Sequence, residues 1–162
     1  MIKKAVVAGG CFWGLEDLIR DLKGVVNTTA GYTGGTNDNP TYGDHPGHAE
    51  ALEIEYDDEH LDYQNVLDFF FQIHNPTTVN QQGNDKGTAY RSALFYATEQ
   101  EKQVAQEMID IVNQSQRWDN PVVTTLEPFT RFWPAEDYHQ DYLVKNPGGY
   151  TCHAIYFDSY LT

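Results

Sequence analysis

Cysteine is scarce in this chain, with only Cys11 and Cys152 among 162 residues. A small domain stapled by disulfides would need more of them at regular spacings, which sets that class aside. Long apolar runs are also missing, and no stretch approaches the ~20 residues of a membrane span. Positive charge is thin, with 10 Lys and Arg against 24 Asp and Glu. The resulting formal charge of −14 repels nucleic acid and anionic membrane surfaces, so neither is an expected partner. There is no internal repeat and no low-complexity linker. The expectation is a single domain over residues 1–162, long enough to bury a core. The opening MIKKAVVAGGC resembles a lipoprotein leader, but its apolar part falls short of the ~7–15 residues such a leader requires. A cytoplasmic, reducing location is expected, with both thiols free at rest.

What is present is a regular alternation of elements. Lys3–Ala8 reads as a strand, and residues 11–22 as a helix with Leu15, Leu18, Ile19 and Leu22 at helical spacing. Residues 24–35 read as a strand ending in a Gly-rich turn, and 37–48 as loop. Residues 49–57 alternate, with Ala51, Glu53 and Glu55 on one face and Leu52, Ile54 and Tyr56 on the other. Residues 61–74 form an apolar helix, 75–88 a polar loop and 89–98 a strand. Thr98 and Glu101 make a capping box for a helix running to about Asn113. One more strand is expected over 121–128 and a last helix over 135–145, followed by a tail rich in Gly and Tyr. The order β-α-β-β-α-β predicts an α+β two-layer sandwich with a ferredoxin-like core, an extra strand, further helices and a coil-rich C-terminal tail.

Cys11 lies in AVVAGGCFWG, between a strand and a helix start. A buried core thiol, a lipid anchor and a nucleophile compete for it. Unpaired N–H groups and the macrodipole at a helix start favour a thiolate, which favours the nucleophile. Gly9 and Gly10 permit a sharp turn and an open approach to the sulfur. Phe12 and Trp13 can form an apolar slot beside it. Polar loops carry further candidates: Tyr42 in NPTYG, His48 and Glu50 in GHAEA, and Asp85, Tyr90 and Arg91 in GNDKGTAYRS. A carboxyl drawn into an aromatic pocket has its pKa raised and can act as an acid.

GCFWG, GYTGG with NPTY, GHAEA, QGNDKGTAYRS and KNPGGYTCH occur in this order over nearly the whole chain. Together they resemble the A-type peptide methionine sulfoxide reductases. The resemblance implies Cys11 as nucleophile and Phe12 and Trp13 as the cage for the substrate's S-methyl group. It implies Glu50 as the acid for the sulfoxide oxygen, Tyr42 and Tyr90 as phenols binding that oxygen, and Asp85 as a further polar residue of the site. Cys152 is implied as the recycling cysteine. Gly10, for access, and His48, beside Glu50, complete the substrate-binding candidates. The implied activity is reduction of methionine S-sulfoxide, free or in oxidised proteins and peptides, by way of a sulfenic acid and a disulfide. Thioredoxin or another dithiol is the implied reductant, with no cofactor and no metal, and a monomer is expected. The loop after Tyr42 is shorter than is usual in the family. With no third cysteine, the relay is expected to be the pair Cys11 and Cys152.

Three rivals remain. A cysteine hydrolase would use Cys11, His48 and Asp85 as a triad but would leave Cys152 without a task. A metal module would gather His45, His48, Cys152 and His153, whose spacings match structural zinc sites poorly. A peptide-binding domain would use the aromatic groove without chemistry.

Overall fold

A computed structural model describes all residues, 1–162. Strand β1 (Ile2–Gly9) leads into helix α1 (Phe12–Ile19), and β2 (Val25–Thr33) and β3 (Ala49–Asp57) follow. Helix α2 (Tyr63–Gln72) precedes a two-residue hairpin, β4 (Gln81–Gln82) and β5 (Asp85–Lys86), and a 3-10 turn over Thr88–Tyr90. Then come β6 (Ser92–Tyr96), α3 (Glu99–Ser115), β7 (Thr125–Pro128), β8 (Phe132–Pro134) and the single-turn α4 (Tyr142–Lys145). The main sheet runs β7-β6-β1-β3-β2-β8. Its inner four, β6-β1-β3-β2, are antiparallel neighbours joined through α1 and α2, which is the expected ferredoxin-like core.

Leu52, Ile54 and Tyr56 face the helices, as the alternation predicts, and share one core with Phe12, Leu15 and Ile19 of α1 and Phe70 and Phe71 of α2. The opposite face is apolar at one end. Val6, Ala8, Ala49, Ala51, Ala93 and Phe95 pack there under Phe129 and Phe132. α3 starts as predicted: the Thr98 hydroxyl accepts the Glu101 N–H at 3.1 Å. The Glu101 carboxylate accepts from Ala97, one residue before the cap. No helix is long and apolar enough to cross a membrane.

Several expectations change: the helix read over 11–22 is confined to Phe12–Ile19, the strand over 121–128 to Thr125–Pro128, and the loop over 75–88 holds the β4–β5 hairpin. The strand predicted over 89–98 begins only at Ser92, because Gly87 has φ 131° and Arg91 folds back onto the Thr88 and Gly47 carbonyls. A second extra strand, β8, pairs with the outer edge of β2 at Gly31–Thr33. The helix predicted over 135–145 breaks into a 3-10 turn at Asp137–His139 and the short α4. The break has a tertiary cause. The Gln140 amide bonds the Ala30 N–H and C=O at 2.8 and 2.9 Å, carrying on the edge that β8 leaves. The Asp141 N–H donates to the buried Glu16 carboxylate of α1 at 2.8 Å, and Asp141 turns left-handed with φ 51°. These bonds outweigh the helix expected there.

The tail beyond α4 has no helix or strand but is well anchored. The buried Asp68 carboxylate of α2 accepts from the Tyr160 N–H and the Ser159 hydroxyl, both at 2.8 Å. The Tyr156 N–H donates to the Gln72 carbonyl at 2.8 Å.

Candidate active site

Cys11 caps α1 at its N-terminus, after a turn made possible by Gly10 at φ 95°. The first N–H groups of a helix lack internal partners. One of them, on Phe12, donates to Glu50 Oε1 at 3.2 Å, which ties the second residue of β3 to the start of α1. Glu50 is 1% exposed, and its Oε2 is buried without a partner. Burial pushes its pKa up to about 8, against the Phe12 N–H and with a small addition from Asp85. Glu50 is therefore a neutral carboxylic acid at pH 7, and its second oxygen has no protein acceptor.

The thiolate expected at the helix start is not the resting form. Burial, and next the neighbouring Glu50, raise the Cys11 pKa far above that of an ordinary thiol; the backbone at Trp13 opposes this but loses. Cys11 rests as a thiol beside a protonated acid.

The two aromatics after Cys11 differ in exposure. Phe12 is fully buried against Tyr32 and His139, with ring centroids 5.6 and 5.1 Å away. Trp13 is half-buried, stacks on Tyr142 at 3.8 Å and lies nearly parallel to Tyr42 at 6.4 Å. Its indole N–H donates to His139 Nδ1 at 2.9 Å, which fixes the plane of the ring. The Tyr42 loop is clamped by Glu136. This carboxylate accepts the Tyr42 N–H and the buried Tyr32 hydroxyl, both at 2.9 Å. Burial raises the phenol pKa values of Tyr42 and Tyr90, and the charge of Glu50 adds to each, which puts both phenols within electrostatic reach of the acid.

Asp85 sits between that site and the tail. It accepts from Tyr150 at 3.2 Å and lies 3.8 Å from Cys152 Sγ, while its charge also acts on Cys11 and Glu50. Both cysteines are free, and each lies within electrostatic reach of the other's neighbours: Cys152 raises Cys11, and Asp85 raises Cys152 after burial.

Two candidates take other places. His48 is buried, with Nδ1 accepting the Gly35 N–H at 3.1 Å and Nε2 donating to the Asn37 carbonyl at 2.9 Å. No ring nitrogen is left for substrate or for a Cys11 triad, so His48 braces the loop beneath Tyr42. Gly10 does not open a path to the sulfur: a Cβ there would meet Gln82 Cγ at 2.6 Å. A Cβ on Gly9 would meet Phe70 at 2.9 Å and His74 at 3.1 Å. These glycines serve close packing. The proposed metal ligands are likewise not gathered, since His45, His48 and His153 bond the separate carbonyls of Thr41, Asn37 and Gly9.

Sequence reasoning missed Tyr32, Glu136, His139 and Tyr142. The last three lie in residues 135–145, read as a last helix. The signal was their density of acid, imidazole and phenol after Trp133-Pro134, which a solvated helix face does not need.

The family described as peptide methionine sulfoxide reductase matches residues 3–159. A peptide methionine sulfoxide reductase MsrA of Nocardia farcinica is 58% identical over 151 residues, covering 93% of this chain and 89% of that protein. The crystal structure of Mxr1 from Saccharomyces cerevisiae in reduced form superposes with a TM-score of 0.88 at 36% identity, over 95% of this chain and 92% of that one. Mxr1 in complex with Trx2 gives 0.67 at 26% identity, over 95% and 89%.

Proposed function

The chain belongs to the peptide methionine sulfoxide reductase family, of the MsrA type; from that premise, we propose how its own residues reduce methionine sulfoxide. The observation that carries the reading is the neutral Glu50, whose buried Oε2 has no partner. A sulfoxide oxygen is a poor leaving group until it is protonated, and it is a strong acceptor. An acid held unionised with a spare O–H is the group this substrate lacks.

The substrate's S-methyl group enters the slot of Phe12 and Trp13, and its oxygen meets Glu50, Tyr42 and Tyr90. Glu50 gives its proton to the oxygen as Cys11 Sγ attacks the substrate sulfur. The Glu50 carboxylate formed beside Cys11 takes the thiol proton as the S–S bond forms. The phenols stabilise charge on the oxygen as it develops. In the adduct so formed the hydroxyl passes from the substrate sulfur to Cys11 Sγ, as the substrate S–O bond and the S–S bond break. One bonding pair forms the Cys11 S–O bond and the other stays on the methionine sulfur, so that methionine departs and Cys11 is left as a sulfenic acid. Cys152 attacks that sulfur, a disulfide forms and water leaves. A thioredoxin-type dithiol then reduces the disulfide by exchange, a step supported by the complex of Mxr1 with Trx2. The substrate's two electrons come from thiols throughout. The reading takes the S epimer as substrate, as the resemblance to the A-type reductases implies, each of the two reductase types acting on one epimer.

The test uses separated sulfoxide epimers. With dithiothreitol, methionine is expected from the S epimer alone, and Cys11→Ser should form none. Cys152→Ser should release one methionine per enzyme and then stall with thioredoxin. Steady turnover by either variant with thioredoxin would remove the role assigned to that cysteine.

A further inference from the structure

His153 is 8% exposed, between the exposed Thr151 and the exposed run Ala154–Tyr156. Its Nε2 lies 2.6 Å from the Gly9 carbonyl oxygen, two residues before the nucleophile. A carbonyl can only accept, so Nε2 carries the ring proton and Nδ1 is an acceptor. Nδ1 lies 3.9 Å from Cys152 Sγ. The ring occupies a hollow lined by glycine. A Cβ on Gly14 would collide with the ring and with the Thr151 hydroxyl, and one on Gly10 would stand 3.3 Å from Nε2. On the other side, a Cβ on Gly83 would lie 3.1 Å from Cys152 Cβ. Two glycines of GGCFWG thus make room for a residue of the tail.

We propose that His153 is a positioning residue: its bond to Gly9 docks the tail on the nucleophile's own turn and delivers Cys152 to the oxidised Cys11. The proposal rests on the reading of Cys152 as the recycling thiol. The step it governs is balanced. The Cys152 thiol attacks the sulfenic sulfur of Cys11, the S–O bond breaks, and the thiol proton leaves with the oxygen as water. Cys152 is oxidised and Cys11 reduced by the same electron pair. The tail's anchors to α2 lie further on, at Tyr156 on Gln72 and at Ser159 and Tyr160 on Asp68. The bond from His153 to Gly9 is therefore what ties the segment next to Cys152 to the nucleophile's turn and sets how often the two sulfurs meet.

The comparison is His153→Phe, which keeps volume without the donor, against His153→Gln, whose amide N–H can take the place of Nε2–H. Reduced enzyme is mixed with the S-epimer and no reductant, and methionine, free thiols and dimedone-trapped sulfenic acid are followed. His153→Phe should release its first methionine at the wild-type rate. Its disulfide should form about tenfold or more slowly, with sulfenic acid accumulating meanwhile. His153→Gln should recover most of the disulfide rate. Wild-type disulfide formation in His153→Phe would overturn the proposal. So would equal slowing of methionine release, which marks general damage to the site. Cys152→Ser separates the two levels: if it keeps turning over with thioredoxin, the recycling reading itself fails.

Discussion

Glu50 is tuned by where it stands, and its titration gives a direct readout. Its folded pKa of about 8 lies above the ordinary carboxylate value, so the folded protein binds a proton that the unfolded chain has released. Two consequences follow, and both run in the same direction. The proton needed for the sulfoxide is present at pH 7 and lost above about 8, so the single-turnover rate should fall as pH rises through that value. Stability should also decline from the unfolded pKa up to about 8, since ionising a buried carboxyl opposes folding. Glu50→Gln keeps an acceptor for the Phe12 N–H but has no acidic proton. Its first-turnover rate should drop by about 10²–10⁴-fold and become flat across pH 8, while its melting midpoint at pH 9 should not fall below wild type. A variant that kept the wild-type pH limb would exclude Glu50 as the acid. The residues proposed for this chemistry stand out in short motifs, where Cys11, Phe12, Trp13 and Glu50 are paired with glycines and loop ends that a plain core does not require. The ionisation of Cys11 was not legible. A helix start argues for a thiolate, and only the packed structure reveals that burial and Glu50 win.

Between residues and the whole molecule stand the elements. The split β-α-β-β-α-β order could be read because Leu52, Ile54 and Tyr56 alternate, and because Thr98 and Glu101 mark the start of α3. Residues 135–145 could not be read that way. A helix is expected there, but the partners that break it, Ala30 and Glu16, lie more than a hundred residues away in sequence. That same segment supplies Glu136, which joins the Tyr42 loop to β2 through Tyr32. Glu136→Ala would leave the Tyr32 hydroxyl buried and unpaired, a cost of about 1–3 kcal/mol, or a melting shift of roughly 2–12 °C in a chain of this size. It would also free the Tyr42 loop. KM for the sulfoxide should therefore rise, while the pH limb from Glu50 stays where it is. Calorimetry and a KM measurement check the two effects separately, and an unchanged KM would show that the clamp holds the fold without shaping the slot.

Charge acts on the molecule as a whole. A formal −14 on 162 residues is a self-repelling surface, and repulsion among like charges opposes the compact state. Local ion pairs pull the other way but are few and mostly exposed, such as Lys3 with Asp58 and Arg20 with Asp17. Pairs of that kind contribute about 0–1 kcal/mol. The forked bond of Arg91 to Glu127, at 2.9 and 3.0 Å, is better sheltered and should resist salt. Salt weakens both repulsion and exposed pairs, so the sign of its effect tells which dominates. The screening length shortens from about 30 Å at 0.01 M to about 8 Å at 0.15 M, enough to silence repulsion across the surface while leaving the sheltered contact in place. Sodium chloride over this range should therefore raise the melting midpoint, by about 2–4 °C for each kcal/mol of repulsion relieved. A midpoint that fell instead would mean that the exposed pairs hold more of the fold than the excess of carboxylates undoes.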